Sequence, residues 1–518
     1  MAATTEVAAT SRHGGRPVAL AALCTLLFLT FLDNTIVSVA LGSVQTDLHA
    51  GVTQLQWVIG AYALVFASAM LACGMIGDEF GRKTVMMAGA STFCAGSVVC
   101  ALAPNPGVLI AGRAIMGLGA AASEPGTLSM LRHIYTDPRS RDRAIGVWAA
   151  VSGLALALGP VVGGVLIGLW NWRAIFWFNL VFGLAALIGV ALILPESADP
   201  EAHRVDTGGT LLGAACIATL VFAVITGETA GYGATEVIAL FCASAVCAAA
   251  FIWWELRARH PVLNLRYFRI ARFSTANVVA FCTYFATFAV FFFTALYLYE
   301  VSAYSGYRIA LVFLPLTVLM ITVSMLTGRY LSVIGVRWSI FGGCTLFAAG
   351  LYLTEINLKQ HPSSAPLTLS LALTGIGIGA TVVPITSAAL DAVPAERSGM
   401  AASMTNTSRE IGAVIGAAVL GALLDGQLAA TISAKLAALH LPSFVQPIVI
   451  SGIETGKLTT ANSQAQGYNG KLVQEVVNVA YLAVHNGISV SLRVSSVLVF
   501  AAGLLALGTI RPRVRRPG

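Results

Sequence analysis

The sequence predicts an all-α polytopic membrane protein with fourteen transmembrane helices. Three observations carry that reading. Apolar segments of roughly twenty residues recur along the chain, each long enough to cross about 30 Å of hydrocarbon. Charged residues make up 10% of the chain and hydrophobic residues 57%, whereas a soluble domain carries about 25% charged residues. Arginine and lysine are also distributed unevenly. With both termini in the cytoplasm, the tails and even-numbered loops outweigh the odd loops in basic residues by about three to one. That bias accounts for the net charge of +7 without a nucleic-acid partner. It makes the C-terminal run Arg511, Arg513, Arg515, Arg516 an anchor at anionic lipid.

The spans are expected near 18–41, 54–76, 84–103, 107–131, 144–168, 174–194, 208–227, 235–254, 273–299, 307–328, 336–356, 367–390, 398–424 and 488–510. The first follows a polar stretch, Met1 to Arg16, with no cleavage pattern, and it is too long for a signal h-region. The loop after the second span reads Gly74-Met-Ile-Gly-Asp78-Glu-Phe-Gly81-Arg82-Lys83. The loop after the tenth reads Gly328-Arg-Tyr-Leu-Ser332-Val-Ile-Gly335-Val-Arg337. The glycines and the final basic position match, as in a transporter built from two related halves. The division that follows is a tail at 1–17, a six-helix bundle at 18–194 and a linker with two extra spans at 195–272. A second six-helix bundle at 273–510 carries an outer loop, 425–487, and a basic tail closes the chain at 511–518.

Asp33 is the only ionisable residue of the first span. A charged side chain at a helix centre costs about 2.5–3.5 kcal/mol on insertion scales, so an intramembrane acid marks a functional site by default. Its chemistry suits carrying a proton or facing a cation; the structural alternative is a static acid paired with a neighbour. Arg113 and Glu124 lie eleven residues apart on the fourth span. They share a helix face about 16 Å apart along the axis, and Pro125 follows the acid. Gly159/Gly163 and Pro160/Gly164/Gly168 form small faces at spacing four on the fifth span, which suits close packing. Arg409 and Glu410 are neighbours on the thirteenth span and cannot share a face. The ninth span carries a stripe of Phe281, Tyr284, Phe285, Phe288 and Phe292, which suits either a cavity wall for flat or cationic molecules or core and lipid packing. The nine cysteines fall in apolar segments without metal-ligand spacing and read as small hydrophobes. The eight histidines fall in or beside predicted loops, which leaves the carboxylates as proton carriers. Phosphate-cradling, metalloprotease, calcium-loop and redox motifs are absent from the sequence. No enzyme activity, cofactor or metal is expected.

Five of these motifs, in order, resemble the major facilitator superfamily, and more narrowly its fourteen-span drug:proton antiporters of the multidrug and tetracycline type. Leu32 to Leu41 is similar to that family's first-helix motif, departing at Ser38, where asparagine is usual, and at the following Gly42, where proline is usual. Gly74 to Lys83 is similar to the loop motif, with Glu79 where arginine is usual. Arg113 to Ala121 is similar to the helix-four motif, with Met116 where glutamine is common. Gly159-Pro160-Val-Val-Gly163-Gly164 matches the antiporter motif without departure. Trp172 to Asn179 is similar to the start of helix six, departing at Ala174.

The resemblance implies a two-bundle fold and alternating access, with helices one and four lining a central cavity. Asp33 and Arg113 are then expected to approach each other. Asp33, Arg113, Glu124 and Glu410 are the proton-coupling candidates. Asn34, Glu124, Tyr284, Phe285, Phe288 and Phe292 are the substrate-binding candidates. Gly74, Asp78, Gly81 and Arg82 form a candidate conformational latch, where Asp78 can cap the following helix or pair with a base. Gly159, Pro160, Gly163 and Gly164 seal the path as the antiporter motif. The expected function is export of small amphipathic or cationic drugs from a bacterial inner membrane in exchange for protons. The expected partners are protons, a small-molecule substrate and the lipid bilayer, with the protein a monomer and a periplasmic adaptor left open. The rival readings are a narrow exporter of a metabolite, siderophore or self-made antibiotic, and a non-transporting membrane scaffold or sensor.

Overall fold

The computed structural model describes residues 15–50, 52–197, 206–258, 261, 263, 265–302, 304, 306–359, 364–394, 397–438 and 470–510. No strand occurs among them. The first span is broken into α1 (Gly15–Ile36), a 3-10 turn (Val37–Ala40) and α2 (Leu41–Leu48). It is followed by α3 (Val52–Phe80), α4 (Arg82–Ala101), α5 (Pro106–Ile134), α6 (Pro138–Leu169) and α7 (Arg173–Ile193). The two extra spans are α8 (Thr207–Ala230) and α9 (Thr235–Glu255). The ninth span comprises α10 (Ala271–Phe288), a π-helical stretch (Ala289–Thr294) and α11 (Ala295–Glu300). The remaining helices are α12 (Gly306–Ile334), α13 (Val336–Asn357), α14 (Ser364–Leu390), α15 (Ser398–Ala438) and α16 (Gly470–Thr509). Among the described residues, thirteen helical stretches are long and apolar enough to cross a membrane. The 32-residue α6, whose first turns carry Arg139, Arg141, Asp142 and Arg143, falls at the fifth expected span. The protein is a multi-pass membrane protein of the expected class.

Helix ends follow the local sequence. Asn105 accepts a hydrogen bond from the Val108 N–H (3.0 Å) and Asp137 from the Ser140 N–H (2.9 Å), each just ahead of a proline at the first helical position. The repeated loop has a backbone reason. Gly81 (φ +104°) and Gly335 (φ +83°) both take a left-handed conformation and both precede the helix that follows. The outer loop begins and ends in helix, since α15 runs to Ala438 and α16 starts at Gly470. Its middle, 439–469, lies outside the described residues, as do 1–14, 198–205 and the 511–518 tail.

The helices cluster into two compact units. One comprises 1–214, 251–264 and 393–403, and the other 215–250, 265–392 and 404–518. In the first, α4 and α5 meet through glycines: a Cβ at Gly96 would stand 2.7 Å from the Met116 nitrogen, and one at Gly112 2.6 Å from the Cys100 sulfur. In the second, Gly350 and Gly377 bring α13 against α14, and Gly379 brings α14 against α12 at Met320. The same unit packs α15 on α10, where Gly412 and Gly416 lie against the backbones of Phe281 and Phe285.

Candidate functional site

Asp33 is fully buried in α1. Arg113 on α5 donates from Nη1 to its Oδ2 at 2.5 Å, and Asn179 on α7 donates from Nδ2 to its Oδ1 at 2.7 Å. The arginine is fixed in turn. Its Nε donates to the Val58 carbonyl at 3.0 Å, and its guanidinium lies 4.4 Å over the Tyr62 ring, both on α3. The Tyr62 hydroxyl donates back to the Thr30 carbonyl of α1 at 3.4 Å. Four helices therefore converge on one carboxylate. Both of its oxygens are accepting, which only the ionised form can do fully; adding a proton makes one oxygen a donor facing a donor.

Asn179 belongs to the helix-six motif, which by itself assigns it no role. The signal available was a single amide in an otherwise apolar helix start. Its Oδ1 is buried and has no hydrogen-bond partner among the described residues. Asn34, next to the acid, is half-buried. Glu124 lies buried on α5, which runs through Pro125 without ending. Below it, Thr127 donates to the Glu124 carbonyl (2.6 Å) and receives the Trp148 indole N–H (3.0 Å) from α6.

The two small faces of α6 behave differently. A Cβ at Gly159 would overlap the Thr35 hydroxyl, and one at Gly163 would stand 2.9 Å from the Ile36 carbonyl. The antiporter motif thus packs on α1 two and three residues past Asp33, where the 3-10 turn begins. Ser38 in that turn donates to the Thr35 carbonyl at 2.7 Å. On the other face, nothing described lies within 4 Å of a Cβ at Gly164 or Gly168. Among the described residues, Gly159 and Gly163 pack closely and Gly164 and Gly168 do not.

At the loop between α3 and α4, Arg82 pairs with Asp78 at 2.8 Å. Asp78 also accepts from the Gly399 (3.2 Å) and Met400 (3.0 Å) N–H groups at the start of α15. Gly74 faces Ser403 and the Gly399 carbonyl so closely that a Cβ would not fit. Of the two roles open to Asp78, pairing with a base is present, and the helix it caps is α15 rather than the one that follows. The α4 start is capped by Glu196 instead. Its carboxylate accepts from the Lys83 N–H (3.0 Å), the Thr84 N–H (3.1 Å) and the Thr84 hydroxyl (2.6 Å). Burial pushes this carboxyl upward, but the hydrogen bonds from Thr84, Ser197 and Lys83 outweigh it and hold it below the usual range. Gly81 is required twice over, by its positive φ and by the Glu196 carboxylate 2.7 Å from where a Cβ would stand.

In the second unit, Arg409 is buried. It donates to Asn406 Oδ1 (3.0 Å) and Thr386 Oγ1 (2.6 Å) and lies 5.4 Å from the centre of the Tyr284 ring. Glu410 is half-buried. The aromatic stripe holds only in part. Phe285 is buried at the Gly416 contact, Tyr284 and Phe288 are half-buried, and Phe292 is 51% exposed. The π-helical stretch from Ala289 inserts an extra residue per turn, so the 100° register stops at Phe288. Phe288 and Phe292 still stack, with ring centres 5.1 Å apart. One histidine sits deeper than its neighbourhood in the sequence suggests: His485 lies within α16 and its Nδ1 is 3.2 Å from the Tyr297 hydroxyl.

The profile of the Major Facilitator Superfamily matches residues 23–417. The chain is 35% identical to the multidrug resistance protein Stp of Mycobacterium tuberculosis over 79% of this chain and 76% of that protein. It is 29% identical to the tetracenomycin C resistance and export protein of Streptomyces glaucescens over 96% and 92%. Among solved structures, the human organic anion transporter MFSD10 aligns with a TM-score of 0.62 at 13% identity, over 95% of this chain and 99% of that one, a likeness of fold alone.

Proposed function

The chain belongs to the Major Facilitator Superfamily, and from that premise we propose that it exports small amphipathic molecules, antibiotics among them, across a bacterial cytoplasmic membrane in exchange for protons. It is a transporter of small molecules. The observation that carries the antiport reading is the buried Asp33 carboxylate, held by Arg113 and Asn179. Neutralising it removes the charge that offsets the arginine and turns one acceptor into a donor. Either the Arg113 bond or the Asn179 bond then lets go, and the packed α1–α6 contact at Gly159 carries that change along helix one. Substrate and proton alternate because each favours a different arrangement of the same side chains. Asp78, Arg82 and the start of α15 supply the latch in this scheme. Glu124 and Glu410 are the second proton sites to test. The proposed topology keeps both termini in the cytoplasm, and the proposed working form is a monomer. Relatives named for a single antibiotic favour one second reading, a narrow exporter of one such compound.

The test is proton flux in proteoliposomes under an imposed pH gradient, wild type beside Asp33→Asn, with antibiotics and dyes added in turn. Substrate-triggered proton release in wild type and its loss in Asp33→Asn is the expected result. Release that persists in the variant moves the proton site to Glu124 or Glu410. A wild type that answers no compound overturns the broad-export reading.

A further inference from the structure

Asn179 holds Asp33 with one half of its amide and leaves the other half unused. Its Nδ2 donates to Asp33 Oδ1 at 2.7 Å, while its own Oδ1 has no hydrogen-bond partner among the described residues. The side chain is wholly buried, and a buried polar atom without a partner asks for an explanation. The backbone around it is fixed. The Ser97 hydroxyl of α4 donates to the Phe176 carbonyl at 3.0 Å, and a Cβ at Gly183 would stand 2.6 Å from the Cys94 sulfur. The amide itself is free to turn, because its last torsion is broad and roughly two-fold. Its oxygen and nitrogen are nearly alike in size and shape. Turned half round, the group fills the same space with donor and acceptor exchanged. The ionisable groups around the pair come from each neighbouring helix. Arg113 lies on α5, Tyr62 on α3 against the guanidinium, and the Cys94 and Cys100 thiols on α4, the latter in the field of both Asp33 and Arg113. The charges of α6 stand in its first turns, from Arg139 to Arg143, and α7 carries Arg173 at its start, paired with Asp47.

A proton arriving at Asp33 meets two unlike oxygens. Oδ2 accepts from the Arg113 guanidinium at 2.5 Å, so a proton there would face a full positive charge, whereas Oδ1 faces a neutral amide. We infer that Asn179 reads the charge of Asp33 by turning its amide over: Nδ2 donates to the ionised acid, and Oδ1 accepts from the protonated one. The proton stays on Asp33 Oδ1, and no covalent bond of Asn179 forms or breaks. One hydrogen bond to α7 survives in both charge states. The Arg113 bond keeps its geometry but loses half of its charge assistance, because Oδ2 becomes the oxygen of a neutral acid. The link that weakens is then α1 to α5, and the link that persists is α1 to α7. Asn179 acts through Asp33 and is a positioning residue. The inference deepens the proton-coupling reading and rests on it, since it requires Asp33 to take up a proton.

The test is pH-difference infrared spectroscopy on the full-length protein in nanodiscs, with asparagine isotope-labelled at its side-chain carbonyl. As the pH falls, a protonated-carboxyl band appears that is missing from unlabelled Asp33→Asn. A labelled asparagine band shifts to lower frequency with the same midpoint, because a carbonyl oxygen without a partner has gained a hydrogen bond. That shift is absent from Asn179→Leu, and from Asn179→Gln, which keeps an amide at the position but not the label. An asparagine with a merely structural role leaves the labelled band where it is. An Asp33 carboxyl band without the asparagine shift overturns the inference and leaves Asp33 as the proton site. No carboxyl band attributable to Asp33 overturns both. Bands that move together in a protein that releases no protons with any compound refute the antiport reading and leave the amide switch standing.

Discussion

Arg113 in the first unit and Arg409 in the second are both buried within spanning helices, and their described hydrogen bonds go to different groups. Arg113 meets a carboxylate, Asp33, with Asn179, Val58 and Tyr62 completing the shell. Arg409 meets Asn406, Thr386 and the Tyr284 ring. The first arrangement is a closed account of charge, so a proton is the natural thing to disturb it. The second sets described hydrogen bonds to an amide oxygen and a hydroxyl beside a π-face, with the neighbouring Glu410 carboxylate acting on the arginine electrostatically. An arginine in a transport helix therefore does not define a role; what its neighbours carry does.

The comparison can be broken most directly by removing each arginine. Arg113→Gln strands a buried carboxylate that accepts a direct hydrogen bond from it and is expected to destabilise by about 3–5 kcal/mol, while Arg409→Gln, whose described hydrogen bonds go to neutral groups, is expected to lose about 1–2 kcal/mol. Thermal unfolding in detergent ranks them, and Asp33→Asn/Arg113→Gln should recover part of the first loss. Equal losses for the two single variants would refute the distinction. Asn179→Leu sharpens it by removing one charge-assisted bond from Asp33 while leaving the ion pair. A loss of about 1.5–3 kcal/mol and a reduced transport rate are expected. A wild-type melting curve would mean the amide contributes nothing.

The housing of the pair is tested next. Gly159→Val should cost about 1–3 kcal/mol by overpacking on Thr35, whereas Gly164→Val, with nothing described within 4 Å, should be close to neutral. A third way of meeting a charge is Glu196, which is exposed and answered by backbone N–H groups. Its carboxyl is held below the usual value of 4.5. Its contribution is therefore complete above about pH 4.5 and disappears as pH falls through the lower folded value. Glu196→Gln should lose about 0.5–1 kcal/mol at pH 7, at the low end for a helix cap. The gap between variant and wild-type melting temperatures should close as pH is lowered below 4.5. A gap that widens on acidification would contradict the cap.

The fold was readable because bilayer thickness imposes a period on hydrophobicity: each expected span falls on helix, although α15 continues 14 residues past the thirteenth span and α16 starts 18 residues before the fourteenth. Asp33 and Arg113 were readable because charge is rare in such sequence. Asn179 was harder, since one amide in an apolar run carries no sign of what it faces until α7 is packed against α1. The helix-nine stripe assumes 100° per residue throughout, and a π-helical stretch has no signature in a Phe-Phe-Phe sequence. Glu196 escaped notice because the helix it caps begins more than a hundred residues earlier. Local pattern gives elements and rare charges; long-range partners need the packed chain.

The 3-10 turn after Asp33 gives helix one the properties of a screw thread. Four residues, Val37–Ala40, are wound three to a turn at about 2.0 Å rise instead of 3.6 to a turn at about 1.5 Å. Relaxing them to α geometry would shorten the helix by about 2 Å and turn its two ends by about 80° relative to each other. A turn of that size swings the side chains beyond the acid, from Leu41 to Leu48, across nearly a quarter of the helix circumference.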